Sequence, residues 1–287
     1  HEVAGEVVKI GAKVTKFKVG DKVLIEPGVP DDTCEYCRTG RYNICPGVDF
    51  MATQPNYKGA LTQYMTHPEE WTYHIPEGMT TMEGALVEPA AVGMHAAVLG
   101  GAQPGKSIVI LGGGTIGLMV LQACISLGAT DITVVDVIEK CLELAKKLGA
   151  ARVINGKEED TVAVLRSEEM YGDHGVDLVF EAAGAVFTAQ QAVQIVSRGG
   201  KIMMVGTQSK PVPIDFLKIN REVTIQTSFR YCNNFPQTIE AISSGRFNVK
   251  DMVTNIYDYE DVQKAFEEAI DPVKKTEMVK GVIKVAE

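Results

Sequence analysis

The stretch "VILGGGTIG" sets Gly112, Gly114 and Gly117 in the spacing G-x-G-x-x-G. It closes an apolar strand-like run and opens an apolar helix-like one, the context in which this spacing binds a dinucleotide. Gly112 makes the tight turn, Gly114 lets a pyrophosphate approach the backbone, and Gly117 lets helix and strand pack closely. The free N–H groups of the helix start, with Ile116 in its first turn, then face the phosphates. Asp136 ends the next strand-like run, "ITVVD", 24 residues after Gly112. A carboxylate there accepts hydrogen bonds from a ribose 2′-OH and repels a 2′-phosphate, so the pattern favours NAD over NADP. The blander reading is a glycine turn followed by an Asp that caps a helix. It is disfavoured because strand, glycines, helix, strand and acid all occur in order.

A second cluster is "DDTCEYCRTGRYNIC", in which Cys34, Cys37 and Cys45 fall within twelve residues. A closed zinc site takes four ligands, and no fourth cysteine is near. On its own the stretch leaves three readings open: a metal knot with an unusual ligand, a decayed knot, or a plain loop. Cys124, Cys141 and Cys232 are scattered through apolar or mixed segments. They read as reduced thiols of a cytoplasmic protein rather than as a disulfide framework.

These residues need a scaffold. With 287 residues there is room for one large domain or two ordinary ones. A net charge of −9 argues against nucleic acid or anionic membrane as partner. No apolar run reaches transmembrane length, and no signal peptide is visible. Residues 1 to about 75 read as β: "VAGEVVKI", "DKVLIE" and "ALTQYMT" are short β-prone runs between Gly, Pro and Asp turns. Residues 79 to 100 read as helical, with Pro89 ending one helix near Glu88 and opening the next. From 107 on, "SIVILG", "ITVVD", "ARVIN", "DLVFEA", "KIMMVG" and "VTIQTSF" are β-branched runs, most of them separated by amphipathic segments at 115–127, 138–148, 158–170 and 185–197. That alternation predicts an α/β fold with a doubly wound parallel sheet. Helices follow near 235–244 and 260–269, and "KGVIKVAE" is a closing strand that could return to the first domain.

The motifs "HEVAGEVVKIGAKVTKFKVGDKV", "CEYCRTGRYNIC", "ALVEPAAVGMHA" and "LGGGTIG" occur in that order. The chain thereby resembles the zinc-dependent medium-chain alcohol dehydrogenases. "FRYCNNFP" at 229–236 is similar to their polyol branch, the sorbitol (L-iditol) and xylitol dehydrogenases. The resemblance implies a GroES-like catalytic domain of residues 1–89 and 232–287 around a Rossmann cofactor domain of residues 90–231. It implies NAD-dependent oxidation of a polyol to a ketose, with zinc polarising the hydroxyl, and a homo-oligomer, dimer or tetramer. Butanediol and threonine dehydrogenases, which share the "EP" of Glu88 and Pro89, are the alternative activities. An NAD-binding protein without catalysis is the alternative from another class.

The resemblance also assigns residues. His1 and Glu2 match the family's His-Glu pair at the catalytic zinc, and Glu88 matches a carboxylate beside that metal. Family members carry several dozen residues before this pair, including a cysteine ligand, so the sequence is expected to be a fragment or to lack those strands. The family's structural zinc loop spaces its cysteines so that counting back from Cys45 puts Asp31 in the first position. A carboxylate oxygen can complete such a site at about 2.0–2.2 Å, so Asp31 joins Cys34, Cys37 and Cys45, with Asp32 as fallback. Arg230 and Tyr231 match substrate contacts that can hydrogen-bond several hydroxyls. Phe50 and Thr53 match positions near the same cleft. Val205, Gly206, Thr207, Ser228 and Phe229, with Arg230, match the lining of the nicotinamide. Where many members carry a basic residue on the adenine, this sequence has Cys141, with Lys140 beside it.

Overall fold

The computed structural model describes residues 1–54, 56 and 58–286. The alternating half folds into one six-stranded sheet in the spatial order Thr224–Thr227, Val196–Met204, Val176–Glu181, Ser107–Leu111, Asp131–Asp136, Arg152–Asn155. All neighbouring pairs are parallel. Ser107–Leu111 is central, and the strand order reverses beside it, which opens the crevice where ligands of such sheets bind. Ile108 to Leu111 are fully buried because helices cover both faces, hence the continuous apolar run rather than an alternation. The helices Thr115–Ser126, Glu139–Lys147, Thr161–Leu165 and Val186–Ile195 lie within the predicted segments.

The first 75 residues form smaller antiparallel pieces. Ala4–Glu6, Lys22–Ile25 and Thr72–His74 make one sheet, and Gly28–Val29 pairs with Asp49–Phe50. "ALTQYMT" departs from expectation: residues 60–66 form no strand. A β-prone run needs a neighbouring edge to pair with, and none of the described strands runs beside it.

Two helices follow, Thr81–Ala85 and Val87–Gly100. The break lies at Leu86, not at Pro89. A capping box between Thr80 and Glu83 starts the first helix. Pro89 falls in the first turn of the second, where its missing N–H has no intrahelical partner to lose. This second helix crosses Thr115–Ser126 so closely that a Cβ on Gly93 would stand 2.5 Å from the Met119 carbonyl carbon. It also packs against Phe235–Ser243, so one core joins the β-rich part to the sheet. The closing strand Lys280–Lys284 pairs in parallel with Val253–Asp258 rather than with the first sheet.

Candidate active site

The glycine turn has the geometry its spacing predicts. Gly112 has φ 105, and a Cβ there would lie 2.7 Å from the Ala183 nitrogen. A Cβ on Gly117 would lie 1.8 Å from the Gly112 carbonyl oxygen, so only glycine lets helix and strand approach this closely. Gly114 starts the helix, and a Cβ there would meet nothing within 4 Å. Its open side faces away from protein, as a phosphate-binding turn requires. Ile116 is half-buried in the first helical turn.

Asp136 ties this turn to the next. Its carboxylate accepts from the N–H of Gly113 at 2.6 Å, Val137 at 2.7 Å and Ile138 at 2.9 Å. A carboxylate offers about four acceptor positions, so one remains open to a ligand. Cys141 is buried, and Lys140 pairs with Glu143 at 3.6 Å.

Val205, Gly206, Thr207 and Ser228 line a cleft of about 480 Å³ at the ends of the neighbouring strands. None of His1, Glu2 and Glu88 lines it. Glu181, a residue without a motif, lies buried behind the lining residue Gln208. Its fully buried carboxylate accepts from Ala183 N–H at 3.0 Å, Gly184 N–H at 2.9 Å, Thr188 Oγ1 at 2.7 Å and Gln208 Nε2 at 2.7 Å. The only local signal for it is a carboxylate closing the apolar run "DLVFE".

His1, Glu2 and Glu88 come together with one ligand atom each inside 4.8 Å of the others. His1 Nε2 lies 3.9 Å from Glu88 Oε1. Glu88 is buried in the first turn of its helix. Burial pushes its carboxyl up to about 7, and the Glu2 carboxylate adds to the shift. One imidazole and two crowded carboxylates fit the donor set of a metal ion, and a cation would relieve their repulsion. Lys280 donates to Glu2 from 278 positions away, and no local pattern announces it.

The Phe50 ring stands between this cluster and the next residues. Its centroid is 5.2 Å from that of His1, and the Arg230 guanidinium lies 3.7 Å above it. The exposed Phe229 ring also faces Arg230, at 4.7 Å. Arg230 Nη1 and Ser228 Oγ are buried without a hydrogen-bond partner, and the buried Tyr231 hydroxyl faces the Glu88 carboxylate. Thr53 uses its hydroxyl locally, donating to the Phe50 carbonyl at 2.9 Å.

Asp31, Cys34, Cys37 and Cys45 form a second cluster, again with ligand atoms within 4.8 Å of one another. The two thiol sulfurs of Cys34 and Cys37 are 3.4 Å apart, and Cys37 lies 3.6 Å from Asp31 Oδ1. Asp31 also accepts from the N–H of Thr33 and of Cys34, which holds its carboxyl down at about 2. Desolvation and the neighbouring thiols push Cys37 up to about 12. Three thiols and a carboxylate fit a closed zinc site. Asp32, in left-handed backbone at φ 57, is not part of the cluster.

A buried carboxyl nearby, Glu26, also escaped the motifs. Tyr42 donates to it at 2.6 Å and Tyr73 at 3.0 Å. Burial nevertheless pushes it from 4.5 up to about 7. Between those values the unfolded chain has released a proton that the folded chain keeps, so stability must fall as pH rises. The expected loss from this group is about 3 kcal/mol between pH 4.5 and 7, levelling off above. Urea unfolding of Glu26→Gln should show a flatter profile across that window, and an unchanged slope would contradict the assignment.

The description "Alcohol dehydrogenase GroES-like domain" matches residues 1–77, and "Zinc-binding dehydrogenase" matches residues 115–244. An uncharacterized zinc-type alcohol dehydrogenase-like protein of Escherichia coli is 63% identical over 100% of this chain and 82% of its own length. The sorbitol dehydrogenase of Bacillus subtilis is 42% identical over 94% of this chain and 76% of its own. Among solved structures, a zinc-binding dehydrogenase of Sinorhizobium meliloti bound to NADP superposes with a TM-score of 0.92 at 25% identity, covering 99% of this chain and 82% of that one. The chain belongs to the zinc-dependent medium-chain alcohol dehydrogenase family, in its sorbitol dehydrogenase branch.

Proposed function

We propose that the protein oxidises a polyol of the sorbitol or xylitol kind to a ketose, with NAD as acceptor. The observation that carries this reading is the buried, unpartnered donor Arg230 Nη1, beside the buried Tyr231 hydroxyl, in the residues that follow the edge strand Thr224–Thr227. A buried polar atom without a partner costs free energy unless a ligand supplies one, and a substrate rich in hydroxyls does so. His1, Glu2 and Glu88 would hold the catalytic zinc, and Asp31, Cys34, Cys37 and Cys45 a structural one. Zinc supplies Lewis acidity toward an alcohol oxygen, and NAD supplies the hydride acceptor. The chain's own residues then bind and orient. Arg230 and Tyr231 take the hydroxyls beyond the reacting carbon, Phe50 supports Arg230 from beneath, and the Gly112 turn with Asp136 holds the dinucleotide.

On this reading the catalytic domain is residues 1–89 and 232–287 and the cofactor domain residues 90–231, with Arg230 and Tyr231 at the junction. The sheet edge Thr224–Thr227 offers a surface for a homo-oligomer. Among the described residues no helix is long and apolar enough to cross a membrane. Its six cysteines are free, which supports a cytoplasmic protein. Initial rates on sorbitol and xylitol, against 2,3-butanediol and threonine, test the reading. A preference for either of the latter would replace it.

Two substitutions bear on the specificity. Arg230→Ala should raise KM for a polyol at least tenfold more than for a simple secondary alcohol, because the lost hydrogen bonds reach hydroxyls that only the polyol carries. Equal losses on both would make Arg230 structural. Asp136→Gly should weaken NAD binding about tenfold and lift the discrimination against NADP. The neighbour bound to NADP makes this the decisive test of cofactor choice, and an unchanged NAD to NADP ratio would refute the role of Asp136.

A further inference from the structure

The loop that carries Arg230 and Tyr231 is held in a left-handed backbone conformation that Arg230 disfavours and Asn233 tolerates. Arg230 has φ 52 and Asn233 has φ 58, both left-handed and neither glycine. Such residues persist where their surroundings over-determine them. Here the surroundings come from two sides. On one side is the segment between Cys37 and Cys45. Tyr42 Oη accepts from the Asn233 N–H at 2.8 Å, and Asn43 Nδ2 donates to the Phe229 carbonyl at 2.8 Å. Asn233 Nδ2 and Cys232 Sγ both donate to the Gly40 carbonyl, each at 2.9 Å. On the other side is the helix that begins beside Glu88. Its His95 meets Asn234 Oδ1 through Nδ1 at 2.9 Å, and the same oxygen accepts from the Cys232 N–H at 3.2 Å.

Tyr42 is the hinge of this arrangement, because its oxygen faces two ways. It accepts from Asn233 and donates to Glu26, whose other carboxylate oxygen takes the Tyr73 hydroxyl. Glu26 is 1% exposed and closes the strand Lys22–Ile25. It belongs to neither metal cluster. We propose that Glu26 and Tyr42 are positioning residues for the substrate loop. Glu26 fixes the rotation of the Tyr42 hydroxyl, so that a lone pair meets the Asn233 N–H, and the fixed Asn233 sets Arg230 over Phe50 and Tyr231 beside Glu88. What the loop then binds rests on the polyol reading; that the loop is held this way does not.

Tyr42→Phe keeps the ring that packs on Trp71 at 4.9 Å and deletes only the oxygen. In this variant hydrogen–deuterium exchange across residues 229–234 should accelerate about tenfold, the effect of one buried hydrogen bond. Exchange across residues 107–136 should stay as in the wild type. KM for sorbitol or xylitol should rise about tenfold, with kcat within threefold and the Kd for NAD within twofold. Glu26→Ala should reproduce both changes. Glu26→Gln, which keeps an oxygen for Tyr42, should return both to within threefold of wild type. Unchanged exchange in 229–234 overturns the proposal, as does acceleration spread evenly over the chain. Faster exchange with an unchanged polyol KM overturns the link from Asn233 to Arg230 and Tyr231. A wild-type protein that turns over no polyol defeats the substrate reading alone, because the exchange comparison needs no substrate.

Discussion

Replacing His1 by alanine should lower kcat/KM on a polyol by about three orders of magnitude, with the Kd for NAD unchanged within about twofold. His1 is the only nitrogen donor in the cluster with Glu2 and Glu88. Glu88 is buried, its carboxyl raised to about 7, and Glu2 is already engaged by Lys280. Two carboxylates that repel each other, one of them claimed by an ammonium, make a poor zinc site once the imidazole is gone. The Lewis acidity lost with the metal is worth several kcal/mol at the transition state, about 4 kcal/mol for a thousandfold. The glycine turn and Asp136 belong to the parallel sheet and not to this cluster, so cofactor binding serves as the internal control. Activity and zinc content both retained in His1→Ala would rule out this cluster as the catalytic metal site.

Cys37→Ala carries the second large effect, on stability rather than turnover. Its thiol lies among Cys34, Cys45 and Asp31, and desolvation with those neighbours pushes it up to about 12. Only a cation makes so crowded a set of sulfurs favourable as thiolates, so metal binding and the folding of this loop are linked. Loss of one thiolate should reduce zinc by about one ion per chain and lower Tm by roughly 6 °C, the equivalent of about 3–4 kcal/mol in a protein of this size. The loop also holds Tyr42 and Asn43 against Phe229–Asn233, so the polyol KM should rise as well. Asp31→Ala should show a smaller loss of both zinc and Tm, since an oxygen adds less to the affinity than a sulfur. Zinc content unchanged in Cys37→Ala would show that the four residues form a loop and not a metal knot.

Much of this was legible from order and spacing along the chain. The glycines at 112 and 117 encode a turn, because each meets a steric demand within a few residues of itself or beside the adjoining strand, and Gly114 leaves the helix start open. The alternation of β-branched and amphipathic runs encodes the parallel sheet, because strand and helix periods are local properties of a backbone. The spacing of Cys34, Cys37 and Cys45 brings three sulfurs together for the same reason, a short helical turn folding the chain back on itself. Where tertiary context intervened, local reading failed. Residues 60–66 have the composition of a strand and no edge to join, and the helix break moved from Pro89 to Leu86 because proline is tolerated in a first turn. Lys280 on Glu2 and Tyr42 on Asn233 join positions 278 and 191 residues apart. Glu26 closes a strand whose pattern says nothing of the two tyrosines that meet it. The sequence alone determined which backbone turns could hold a dinucleotide and a metal. The packing of distant segments decided which carboxylates are buried, which donors lack partners and how the loop from Phe229 to Asn234 is held, because burial and long-range hydrogen bonds exist only once those segments meet.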